Sequence, residues 1–164
     1  MRLRYYPVRR YLAMKAIPNK LFFDYVAERL STGDNVRLRL KGNSMFPLLR
    51  NNRDIVVLAP CVCEALAPMD VVLFRYRGDY VLHRIVRRNG DSLLMQGDGV
   101  YASYEQCTVG DVVGRVVAVC RQSGRVDDVD GWRWRTASRL WRMVEPLRRW
   151  SLKFLYHYFD VSNL

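Results

Sequence analysis

The chain lacks any run of about eighteen or more uncharged apolar residues, so no segment reads as a transmembrane anchor. Its N-terminal stretch carries Arg2, Arg4, Arg9, Arg10, Lys15 and Lys20 with no apolar core segment behind them, which argues against a secretory signal. Lysine is scarce, and none lies between Lys41 and Lys153, so no lysine in that span is available as a base. Cysteine is sparse as well. Cys61, Cys63, Cys107 and Cys120 form no C-x-x-C pair and have no histidines at metal-ligand spacing, so neither zinc nor any other cofactor is expected. Cys61 and Cys63 are too close for an easy disulfide, and reduced thiols in a cytoplasmic protein are the expectation. Repeats and low-complexity tracts are missing. What remains is a chain of 164 residues, half of them hydrophobic, which suits one ordered domain with a real core.

The net charge of +11 is unevenly spread. Residues 1–20 hold six basic groups and no acidic one, and residues 132–164 hold seven basic groups against Glu145 and Asp160. Between them, residues 21–131 balance fourteen basic against fourteen acidic groups. All of the excess therefore sits at the two ends, and an electrostatic partner would meet the ends rather than the middle.

Hydrophobic periodicity divides the chain into three parts. A basic N-terminal segment with a short amphipathic helix covers 1–35, where Leu21, Phe22, Tyr25, Val26 and Leu30 follow i, i+3, i+4 spacing and Ser31-Thr32-Gly33 supplies a stop. A β-rich domain covers 36–124. There Val36, Leu38 and Leu40 alternate with Arg37, Arg39 and Lys41, the period of a strand with one wet face. Apolar runs at 54–58, 71–76, 80–88, 92–95 and 112–121 give five more strands, with turns at Arg77-Gly78-Asp79 and Asn89-Gly90. Six short strands with little helix between them predict a mainly β fold, coiled or partly barrel-like. A Trp-rich basic helical tail covers 132–164, with Pro146 expected to kink or restart the helix. That tail packs on the domain or lies on an anionic membrane surface.

Within the β-rich part, Gly42-Asn43-Ser44-Met45-Phe46-Pro47 forms an unusual loop sequence directly after a strand. His83 follows in an apolar strand as Leu82-His83-Arg84, then come Gln96-Gly97-Asp98 and Gly110-Asp111-Val112-Val113-Gly114-Arg115. In the strand around His83, alternation places Val81, His83 and Ile85 on one face and Leu82, Arg84 and Val86 on the other. The ordered set G-x-S-M-x-P, H-R, G-D resembles the signal peptidase I-like serine peptidases of the histidine-using, endoplasmic-reticulum type. The resemblance spans roughly residues 36–120.

That resemblance implies a small coiled β catalytic domain that binds an extended peptide as an added strand, with Ser44 as nucleophile and His83 as base. A serine hydroxyl needs such a base, and donors aimed at the developing oxyanion, to act at all. The backbone N–H of Ser44 is the expected donor, Met45 is expected to pack below the loop, and Pro47 to fix its φ. The family's Gly-Asp matches Gly97-Asp98, so Asp98 is expected to orient His83. Where a second aspartate usually follows, this chain reads Ser103-Tyr104-Glu105, which leaves Glu105 in reserve. The related self-cleaving repressors use a lysine base, so the lysine-free span argues against that activity. Two functions stay open: a peptidase that matures a small cytoplasmic peptide precursor or trims a protein delivered to the inner membrane face, and a non-catalytic peptide-binding module. Nucleic-acid binding by the basic ends is disfavoured, because the charge lies on amphipathic helices and the β core is neutral.

Overall fold

The computed structural model describes residues 19–144 together with Leu147, Trp150, Leu152 and Phe154. Most of the basic N-terminal segment and Pro146 lie outside the described residues. Among the described residues the fold is mainly β, with eight strands and two α-helices. Helix α1 spans Asn19–Ser31 and α2 spans Trp132–Met143. The strands are β1 Val36–Arg39, β2 Ile55–Ala59, β3 Val71–Tyr76, β4 Asp79–Asn89, β5 Ser92–Gln96, β6 Glu105–Thr108, β7 Val112–Cys120 and β8 Val126–Asp128.

All pairings are antiparallel, in the order β1-β2-β7-β3-β4-β5-β6, with β8 beside β7. Strand β7 is shared: Val112–Arg115 pairs with β3, while its second half pairs with β2 on one side and β8 on the other. Two tight turns fix the hairpins. Arg77 and Gly78 both take positive φ, 50° and 87°, the pattern that matches strand twist in a two-residue turn. The second turn consists of Gly90 and Asp91, since Asn89 still pairs with Ser92. It therefore sits one residue beyond the Asn89-Gly90 position read from the sequence, with Gly90 (φ 60°) at its first central place.

Strand β3 explains why Val71-Val72-Leu73-Phe74 is apolar without alternation: it is buried on both faces. Val71 and Leu73 join one core with α1, β1, β2 and β7, and Val72 and Phe74 join another with Ile85, Leu93, Met95 and Cys107. Val26 and Leu30 of α1 are fully buried in the first core. Such burial contributes about 1.5–3 kcal/mol per side chain, which is what holds this short helix to the sheet. By contrast, β1 shows its expected alternation, with Leu38 buried between the exposed Arg37 and Arg39.

The loop that follows β1 is closed at its neck by backbone bonds. The Leu40 N–H donates to the Asp54 carbonyl (3.1 Å), and the Asn52 N–H donates to the Leu40 carbonyl (2.9 Å). The buried Asp54 carboxylate accepts from Arg53 at both oxygens (2.8 and 2.9 Å), from the Arg50 backbone N–H (2.9 Å) and from Arg121 (2.6 Å). Arg121 also donates to the Leu48 carbonyl (2.8 Å) and to Asp127 (2.8 Å), tying the loop to the end of β7 and to β8. Burial pushes the Asp54 carboxyl up, but the bonds from Arg53 and Arg50 and the charges of Arg121 and Arg53 outweigh it, leaving the group below its ordinary range. A depressed folded-state pKa stabilises above the unfolded value of about 3.9 and is lost as pH falls through the folded value. Asp54→Asn should therefore cost about 2–3 kcal/mol at neutral pH. In urea unfolding the gap to wild type should shrink once the pH drops below about 4; a gap constant into strong acid would contradict this account.

Candidate active site

Ser44 sits at the tip of a tight turn. The Phe46 N–H donates to the Asn43 carbonyl (3.0 Å), so Ser44 and Met45 are the two central residues. Gly42, at φ 93°, lets its N–H reach the Asn51 side-chain oxygen (2.9 Å), and the Leu49 N–H donates to the Met45 carbonyl (3.0 Å). Met45 and Phe46 are buried beneath the turn while Ser44 stays exposed. Met45 thus packs below the loop as expected. The Phe46–Pro47 peptide bond is cis. The Ser44 backbone N–H donates to no acceptor among the described residues.

His83 lies buried in β4, paired with Val72 of β3, its ring 6.4 Å from that of Phe74. Its Nδ1 is 2.9 Å from Oε2 of Glu105, at the start of β6. Asp98 does not orient His83, contrary to the sequence-based expectation. The structure gives Asp98 to Arg84, which donates from Nε to Oδ1 (2.8 Å) and from Nη2 to Oδ2 (2.7 Å). Both partners are sealed from solvent, at 0 and 1% exposure. The remaining Arg84 nitrogen donates to the Met69 carbonyl (2.7 Å), and the guanidinium lies 5.9 Å from the centre of a Trp134 ring.

Strand register explains both pairings. Ile85, Met95 and Glu105 are aligned across β4, β5 and β6, so their side chains share a face, and His83, two residues before Ile85, shares it too. Arg84 is aligned with Gln96, and Asp98 lies two residues further along on that same, opposite side. A recognised strand at 105–108 would have revealed Glu105 as the partner. That stretch, Glu-Gln-Cys-Thr, carries almost no apolar signal, and so it was not expected as a strand.

Gly97 and Gly99 bring the two loops together. A Cβ on Gly97 would collide with the Ser44 carbonyl oxygen and lie 2.9 Å from Nε2 of His83. The Ser44 backbone and the imidazole nitrogen left free by Glu105 therefore border the same methyl-sized space. A Cβ on Gly99 would strike the Asn43 carbonyl, and the Gly99 N–H donates to the Ser44 carbonyl (2.8 Å). The Ser44 hydroxyl is not hydrogen-bonded to the imidazole among the described contacts. Behind the loops, the Trp141 indole N–H of α2 donates to the Asp98 carbonyl (2.9 Å), and Arg142 donates to the Gln96 side chain (2.8 Å). Phe46 packs with Trp141 and Leu152.

Two of the four thiols, Cys61 and Cys107, are pushed up by burial and are poor nucleophiles. All four are free, and burial, with Asp111 and Glu105 nearby, pushes Cys107 up to about 11. No group of three or more His, Cys, Asp and Glu side chains suited to a metal ion occurs among the described residues. Nor is any of their helices long and apolar enough to cross a membrane. The chain matches no protein-family model and no curated protein.

Three variants probe this geometry. Asp98→Ala should destabilise by about 3–5 kcal/mol because it strands the buried Arg84 charge. The double change Arg84→Met, Asp98→Leu should cost clearly less, which urea unfolding of the two variants side by side would reveal. Gly97→Ala forces backbone apart, since the Ser44 carbonyl cannot swing aside like a side-chain tip. It should cost about 1–3 kcal/mol in the same assay.

Proposed function

We propose that the chain is a serine endopeptidase of the signal peptidase I-like kind, acting on extended peptide or protein precursors. The observation that carries this reading is the bond between His83 Nδ1 and Glu105, which leaves Nε2 directed at the Ser44 loop. With Glu105 as a carboxylate, which only accepts, the neutral ring keeps its proton on Nδ1 and its lone pair on Nε2. Ser44 Oγ attacks the scissile carbonyl carbon while Nε2 takes its proton. The resulting oxyanion meets the unused N–H of Ser44, and the imidazolium returns the proton to the departing amine. Water then attacks the acyl-serine with Nε2 again as base. Glu105 acts as the orienting acid, the part first expected of Asp98. Asp98 instead holds the loop that presses Gly97 and Gly99 against Ser44.

Strand β1 offers the substrate its place. Among the described residues its only strand partner is β2, on one edge; the reading puts the substrate on the other, and the strand runs directly into the Ser44 loop. A peptide added along that edge reaches Ser44 in extended form. The second reading, a peptide-binding module without catalysis, is favoured by one observation, the missing hydrogen bond between Ser44 and His83. Catalytic bonds commonly tighten only once substrate is bound, so the gap does not exclude chemistry.

Fluorophosphonate labelling separates the two. Wild type should be modified at Ser44, and Ser44→Ala should not. His83→Ala should slow labelling by about 10²–10⁴-fold, and Glu105→Gln by about 10²-fold or more. Folded wild-type protein that stays unlabelled would leave the binding module as the better reading.

A further inference from the structure

Helix α2 carries four arginines and no acidic residue, and it is two-sided in an unusual sense. Trp134 and Ser138 are buried, and Trp141, on the same side, packs on Phe46 and bonds the Asp98 carbonyl. On the opposite side, residues 132, 136, 140 and 143 form a stripe at helical spacing. Three of them are Trp132, Leu140 and Met143, exposed at 75, 59 and 76%. A helix resting on a soluble domain normally turns a polar face outward. Leu147, Trp150 and Phe154 extend the exposed apolar set past the end of the helix.

The stripe is bordered by cations. Arg139 has no acidic partner among the described residues, Arg133 lies 5.9 Å from the centre of the Trp132 ring, and Arg135 reaches Asp130 only at 3.6 Å. Residues 132–164 together carry seven basic against two acidic groups. Large apolar side chains ringed by arginine match a surface with hydrocarbon below and negative charge above. A second copy of this helix would set arginines against arginines, and a nucleic acid would leave Leu140 and Met143 without hydrocarbon to enter.

We propose that the outer face of α2, centred on Trp132, Leu140 and Met143 and flanked by Arg133 and Arg139, docks on an anionic phospholipid bilayer. The docking does not depend on the peptidase reading. The chain would lie on the membrane through this stripe without spanning it, and the inner face of the helix would keep its hold on the Phe46 and Asp98 loops.

The test is flotation of the full chain with vesicles of mixed phosphatidylcholine and phosphatidylglycerol, and with phosphatidylcholine alone. The wild type should bind the mixed vesicles, more weakly as salt rises, and should bind the neutral ones poorly. Replacing Trp132, Leu140 and Met143 together by serine should weaken binding by about tenfold or more. Because all three are exposed, the unfolding midpoint should hold. Arg133→Gln with Arg139→Gln should weaken binding to the mixed vesicles only. Ser44→Ala should bind like wild type, so failure here and failure of the peptidase reading are separately visible. Wild type that ignores the mixed vesicles, or a triple variant that binds them as well as wild type, would overturn the proposal. So would retention on oligonucleotides, or self-association lost in the triple variant, without vesicle binding.

Discussion

The arrangement of the site hangs on a buried ion pair that takes no part in the proposed chemistry. Arg84 donates two short hydrogen bonds to Asp98, with almost no solvent contact at either group. Their attraction is bought against the cost of drying both charges, which makes the pair a weak source of net stability but a strict positional constraint. Because Arg84 is the neighbour of His83 in a strand, the two side chains leave β4 on opposite faces. The pair fixes where the loop after β5 ends, and Gly97 and Gly99 carry that position across to the Ser44 turn. Nε2 and Ser44 thus border one small space because the Arg84 charge, on the far side of the sheet, has a single acidic partner among the described residues.

A second polar centre does similar work at the other end of the loop. Asp54 gathers Arg53, Arg121 and a backbone N–H, and Arg121 reaches on to the Leu48 carbonyl and Asp127. Trp134 lies within 6 Å of both Arg84 and Arg121, at 5.9 and 5.8 Å from ring centre to guanidinium. One aromatic side chain of α2 therefore touches the cations of both centres. Within a mostly apolar interior the charged groups of both centres are paired, and their cations are arginines, whose forked donors suit two-point contact with carboxylates.

Much of this was legible before any coordinates. Alternation in 36–40, the apolar runs and the turn residues gave six strands, both helices and the face carrying His83. What stayed hidden has a common cause. Strands β6 and β8, Glu-Gln-Cys-Thr and Val-Asp-Asp, pair to an existing edge and carry little apolar signal, with Cys107 alone among their side chains buried in a core. With β6 unseen, the register that brings Glu105 to His83 could not be drawn, and Asp98 took its place by motif alone. The two-sidedness of α2 was also out of reach. A wheel shows an apolar stripe, but only the fold shows which of two aromatic faces meets the domain.

The sharing of α2 between loops and solvent limits how the chain can be taken apart. Cutting the chain after Gly131 would remove more than a surface appendage, since the Asp98 carbonyl would lose its indole donor and Phe46 its cover. Adhesion and architecture occupy one cylinder of backbone, half a turn apart. Divergent descendants of such a sequence could shed the outer aromatic residues one by one, whereas the inner ones could change only in step with the loops they brace.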